Sequence, residues 1–140
     1  MILIPHELDF ALRANAVAGL ASAERDLRFD PVPVVKLFNP VGAATWLATE
    51  LDVDGDTLFG LADLGFGCPE LGYFSLSEIA SLRLPFGLRI ERDLHFSTAH
   101  PLSRWADHAR RAGSIIEAQR ILAALPPDEL PPPDPASGGG

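Results

Sequence analysis

The chain has 140 residues, with 11 Lys and Arg against 19 Asp and Glu, giving a formal charge of −8 at pH 7. Hydrophobic residues make up 47% and charged residues 21%, which excludes a wholly disordered chain and suits one compact domain, expected over residues 1–125. The lone Cys68 excludes an intramolecular disulfide and a multi-cysteine zinc site. No apolar run approaches the roughly 20 residues that span a bilayer, and Met1-Ile2-Leu3-Ile4 meets Pro5 at once, unlike a secretory leader. An acidic, soluble, cytoplasmic protein is expected.

In chain order, the spacing of Leu8, Leu12, Ala16 and Leu20 predicts a helix over about His6 to Glu24, weakened at Gly19. Asp30-Pro31-Val32-Pro33 stops it, because proline lacks an amide donor and drives its predecessor into extended geometry. Strands follow at Val34–Phe38, Ala44–Leu51 and Thr57–Leu61, with Asp54-Gly55 predicting a type I′ hairpin between the last two. Gly65–Pro69 reads as a loop and Leu71–Phe74 as a further short strand. Ser75 and Glu78 stand at capping-box spacing, so a short helix runs from about Leu76 to Arg83. Leu88 to Phe96 alternates, with Leu88, Ile90, Leu94 and Phe96 on one face and Arg92 as a charge among them.

Leu102, Trp105, Ala106, Ala109 and Ala112 form a helical stripe up to Gly113, and Ser114 and Glu117 repeat the capping box before a last helix to about Leu125. The Pro- and Gly-rich residues 126–140 read as a disordered tail. The fold expected is α+β: a curved, mostly antiparallel sheet of four to five strands with helices packed on one face, plus two C-terminal helices.

Several segments carry a resemblance. Pro33–Phe38, Thr45–Glu50, Leu58–Leu61, Glu70–Leu76 and Ile90–Phe96 are similar, in order and spacing, to the bacterial family catalogued as domain of unknown function 2958. The likeness spans about Pro33 to Leu102, is looser in the first helix, and leaves the region after Gly113 as an addition. It implies a small bacterial intracellular protein of a kind found among genes of plasmids and integrated elements. It implies no activity.

The acid is unevenly placed. Between Lys36 and Arg83 there is no Lys or Arg, while Glu50, Asp52, Asp54, Asp56, Asp63, Glu70 and Glu78 fall inside. Such a field repels phosphate backbones and attracts basic surfaces, which argues against direct nucleic-acid binding and for a basic protein partner. Solvation of turns and strand edges explains the same acids, and mimicry of DNA would need a longer ordered array of carboxylates.

Candidate chemistries thin out on inspection. Asp52, Asp54 and Asp56 occupy the first three ligand positions of an EF-hand, but Gly55 lies between the second and third, and strands flank the loop. A hairpin turn accounts for the triplet. Of His6, His95, His100 and His108, a zinc site could gather His95 and His100 with Asp93, but no metal-ligand spacing demands it and unrelated surface histidines are expected. No nucleophile elbow and no phosphate-binding loop is present, Ser75 is explained as a cap, and Cys68 lacks a cationic neighbour. No motif calls for a cofactor.

The remaining feature is Arg92, costly on a core-facing strand side unless paired. An ion pair with Glu50 or Glu70 is expected, since Glu50 follows Trp46 and Ala48 along one strand face. A cleft bounded by Trp46, Glu50, Glu70, Tyr73 and Arg92 is the candidate ligand or partner site. Three functions follow: a non-catalytic accessory or protein-binding module of mobile elements; a metal-dependent hydrolase or nuclease using Asp52, Asp54, Asp56 or Glu70; and an acidic DNA mimic that inhibits a basic nucleic-acid-binding protein.

Overall fold

The structure, a computed structural model, describes residues 1–126; the expected tail lies almost wholly outside the described residues. Its elements are α1 (His6–Glu24), β1 (Val35–Phe38), β2 (Thr45–Leu51), β3 (Thr57–Asp63), β4 (Glu70–Ser75), α2 (Leu76–Ser81), β5 (Glu91–Arg92), α3 (Leu102–Ala112) and α4 (Ile115–Ala123). The five strands form an open antiparallel sheet in the order β4-β3-β2-β1-β5. Among the described residues, no helix is long and apolar enough to cross a membrane.

Each face of the sheet has its own core. Leu12 of α1 and Ile79 of α2 pack with Val35, Leu37, Trp46, Ala48, Leu51 and Leu58 on the first face. On the second, Leu102, Trp105, Ala106 and Ala109 of α3 join Ile115, Ala118 and Leu122 of α4 over Leu47 and Leu61. The first two helices thus share one face as expected, and the C-terminal pair covers the other. This explains why Thr45–Leu51 shows no apolar–polar alternation: a central strand covered on both sides has no solvent face.

Sheet register turns on a bulge in β2. Ala48 pairs with Gly60, but Glu50 pairs with Phe59, so Thr49 is an extra residue. The Thr49 carbonyl accepts from the Asn15 side chain of α1 at 2.9 Å, and its hydroxyl donates to the Phe59 carbonyl at 3.3 Å. Beside the bulge the strands approach so closely that a Cβ on Gly60 would lie 1.8 Å from the Leu47 carbonyl oxygen. Only glycine fits there.

Three sequence expectations need correction. The β2–β3 connection is a hairpin, but its loop is longer than a type I′ turn. It runs from Asp52 to Thr57, closed by Asp52 N–H to the Thr57 carbonyl at 2.9 Å, and only Gly55 takes positive φ. Leu88 to Phe96 is not one strand. Only Glu91 and Arg92 pair with β1; the Asp93 side chain then accepts from the His95 amide at 2.9 Å, and this local turn ends the strand. Ile90 enters the first core while Phe96 reaches the second. Finally, the α1 stripe is buried only at its N-terminal end: Leu12 is fully buried and Leu20 is 68% exposed.

Helix ends are secured by side chains, many of them remote in sequence. Ser75 Oγ accepts from the Glu78 amide and Ser114 Oγ from the Glu117 amide, as the capping-box spacing predicts. Asp63, 1% exposed, bridges β3 to α4 by accepting from the Gly65 and Ile115 amides, each at 2.9 Å. Asp30 accepts from the Ser103 amide at 3.0 Å and from its hydroxyl, tying the α1–β1 linker to α3.

Candidate functional site: a groove floored by Glu50

The bulge decides where Glu50 points. Without an extra residue it would share a pleat with Trp46 and Ala48; with one, it moves to the opposite face. There Glu50, Phe59 and Tyr73 stand side by side on β2, β3 and β4. Phe59 and Tyr73 pack with ring centroids 5.0 Å apart, and Tyr73 remains 77% exposed.

The C-terminal half of α1 supplies the other wall. Ala16, Gly19 and Ala23 are small, so the helix comes close to the row: a Cβ on Gly19 would lie 3.3 Å from Glu50 Oε1 and 3.4 Å from Phe29 Cδ2. The result is two adjoining depressions of about 160 and 340 Å³ that share Ala16, Leu20, Glu50 and Tyr73. Leu20 and Leu27, 68% and 54% exposed, form the apolar rim.

Glu50 is half-buried at this floor, and burial pushes its carboxyl pKa above the ordinary glutamate value. Among the described residues nothing donates a hydrogen bond to it and no cation pairs with it.

The five residues expected to bound a cleft are therefore divided. Glu50 and Tyr73 come together in the groove. Trp46 is buried in the first core and meets Tyr73 only across a separate depression beside α2. Glu70 is exposed on the β4 edge, while Arg92 sits on β5 at the opposite edge, about 19 Å away at 4.8 Å per strand. The expected ion pair is not formed. Arg92 donates instead to the carbonyls of Ile2 at 2.6 Å and Leu3 at 2.7 Å, clamping the N-terminal segment against β5. Backbone carbonyls satisfy a guanidinium as carboxylates do, and sequence spacing cannot tell the two apart.

The aspartate triplet serves the hairpin itself. Asp52 accepts from the Val53 amide, and Asp54 from the Thr57 hydroxyl at 2.6 Å and the amides of Thr57 and Asp56. The bonds from Thr57, and then that from the Asp56 amide, hold the Asp54 carboxyl at a pKa of about 2. Asp56 accepts from the Ser75 hydroxyl and the Ser77 amide, both at 2.7 Å, joining the hairpin to the start of α2. These bonds likewise lower its pKa. Among the described residues, no three His, Cys, Asp or Glu side chains are gathered to hold a metal ion. His100, expected at the surface, is buried beneath α4.

Sequence reasoning missed Ala16, Gly19, Leu20, Leu27 and Phe29 as groove residues. Gly19 left a trace, an oddly placed glycine in a helix; its reason is close approach to a strand two dozen residues or more downstream.

The class is thus an open antiparallel α+β sheet layered between two pairs of helices, with an acid-floored groove on its flank. The chain belongs to the family described as protein of unknown function (DUF2958), whose model matches residues 3–116. The match takes in α1 and all of α3, a wider span than the resemblance read from the strands, and leaves most of α4 beyond it. No curated protein and no solved structure matches the chain.

Proposed function

We propose that this protein is a non-catalytic protein-binding module, an accessory factor of bacterial mobile elements, whose groove receives an apolar segment of a partner bearing a basic side chain. The observation that carries this reading is Glu50: a half-buried carboxyl, raised in pKa and without a partner among the described residues, at the floor of a groove walled by Ala16, Leu20, Phe59 and Tyr73 and lined also by Asp52 and Thr57. A lysine or arginine entering there would relieve the cost of burying the charge, while Leu20, Leu27 and Tyr73 cover the partner's apolar flank. The net charge of −8 favours encounter with a basic surface. An enzymatic reading has less support, because Asp52, Asp54 and Asp56 are engaged by backbone amides and Glu70 lies at the other end of β4 from Ser75, to which Asp56 is bonded. A DNA-mimic reading is weakened likewise, since Asp63 is buried and Asp54 and Asp56 shape their own turn.

The test is a photo-crosslinking residue at Tyr73, compared with one at Phe86, which is 91% exposed in a different loop. In lysate of the native host, the Tyr73 probe should yield a discrete adduct, salt-sensitive and lost on Glu50→Lys. Equal labelling from both positions, or labelling indifferent to Glu50, would overturn the proposal.

A further inference from the structure

The two edges of the sheet are finished differently. At one, β5 has two residues, its outward Arg92 amide donates to Met1 Sδ at 3.4 Å, and the Arg92 side chain holds the carbonyls of Ile2 and Leu3. At the other, β4 has six residues in unbroken register with β3, contains no Lys or Pro, and carries its one charge, Glu70, at its first position. Short length, cationic side chains, proline, bulges and covering segments keep an edge from pairing further, and among the described residues β4 has none of them.

The free groups of β4 follow from its ladder. The Leu76 amide donates to the Asp56 carbonyl at 2.9 Å, and antiparallel bonding alternates from pair to pair, so Leu58 with Phe74 and Gly60 with Gly72 exchange the ladder bonds. The amides and carbonyls of Leu71 and Tyr73 therefore point away from β3, and among the described residues nothing bonds them. Their side chains share the face of Phe59 and are 38% and 77% exposed. Among the described residues, a Cβ on Gly72 between them would meet nothing within 4 Å.

We infer that β4 is a self-association edge: two copies of this chain pair β4 with β4, antiparallel about a two-fold axis at Gly72, and join their sheets into one. The strand is complementary to itself in that register. Leu71 of each copy exchanges both backbone bonds with Tyr73 of the other, and their side chains form two aliphatic–aromatic pairs. The two Gly72 residues meet at the close, non-bonded position, where Cα atoms stand about 4.5 Å apart and the missing side chains admit the approach. Charge does not oppose the pairing of this acidic chain with itself. Each Glu70 faces Phe74 of the other copy, and the two Glu70 are offset by about 14 Å along the strands, beyond the roughly 8 Å screening length of physiological salt. One strand and its flanking side chains bury less than the roughly 800 Å² per partner of a standard interface, so a dissociation constant in the micromolar range is expected.

The test is the oligomeric state of the full-length protein. Sedimentation from about 1 μM to about 1 mM should show a monomer–dimer equilibrium. Gly72→Asp sets two carboxylates against each other across the axis but has free space in the monomer. Its melting temperature should stay near that of the wild type while the dissociation constant rises at least about tenfold. In a Cys68→Ser background, Gly72→Cys should cross-link across the axis on mild oxidation, because the Cα spacing suits a disulfide, whereas Glu70→Cys should not. Gly72 lines neither depression of the Glu50 groove, so these variants leave that groove intact. A protein that stays monomeric at about 1 mM would leave the edge to a strand of another protein and overturn the inference. A dimer undisturbed by Gly72→Asp, or not cross-linked through Gly72→Cys, would overturn it equally. If Gly72→Asp fails to fold, the cross-linking pair still decides.

Discussion

Helix α3 has 11 residues and buries Leu102, Trp105, Ala106 and Ala109 against the sheet, whereas α1, with 19, fully buries Leu12 alone. The C-terminal pair is fastened at both helix starts, by Asp30 and Asp63, and closes the second face. Helix α1 covers the first core with its N-terminal half, then runs on past the bulge and leaves Val17 and Leu20 exposed. At about 1.5 Å per residue it is longer than its packing needs.

The comparison is broken most severely through the sheet both faces share. Gly60→Ala forces a Cβ to within 1.8 Å of the Leu47 carbonyl, and a loss exceeding about 4 kcal/mol is expected, seen as absent cooperative melting by circular dichroism. A melting temperature near that of the wild type would show that the bulge relaxes freely.

The two halves of α1 should then separate. Leu12→Ala is expected to cost about 2–5 kcal/mol in urea unfolding. Val17→Ala, 67% exposed in the wild type, should stay within about 0.5 kcal/mol. Equal effects would mean that the exposed half also serves the core.

On the other face, Asp63→Ala leaves the Gly65 and Ile115 amides without acceptors, and a loss of roughly 2–4 kcal/mol is expected. Hydrogen exchange should rise first in α4 and not in α1, because the bond lost is the one fastening that helix to β3. Uniform acceleration across both helices would show that the two faces unfold as one unit.

The smallest effect is expected at the groove. Burial raises the Glu50 pKa in the folded state, so the folded protein binds its proton more tightly than the unfolded chain. That contribution erodes stability as pH rises from the ordinary glutamate range through the raised value. Glu50→Gln should remove this slope and leave the variant as stable as the wild type or slightly more so at neutral pH, by about 0.5 kcal/mol at most. A clear destabilisation would mean that Glu50 holds the fold together and is not reserved for a partner.

Much of the element order is legible in the residues. The bounds of α1, the Ser75 and Ser114 caps and four of the five strands follow from periodicity and local capping chemistry, which act over a few residues. The fifth strand was over-read, because Leu88 to Phe96 alternates although β1 offers it only a short pairing edge. The groove is half legible: Glu50 and Tyr73 stand out as polar and aromatic strand residues, but the local pattern sets Trp46, Glu70 and Arg92 beside them, and the structure does not.

By itself, then, the sequence determined the identity and order of most elements and the net charge of −8. Tertiary structure alone decided which face each side chain meets. One extra residue at Thr49 reverses every side chain beyond it, and no local pattern records an insertion that exists only relative to the neighbouring strand. It likewise decided the partners of Arg92, Asp30 and Asp63, because charge and hydrogen bonding act through space between groups many residues apart in the chain.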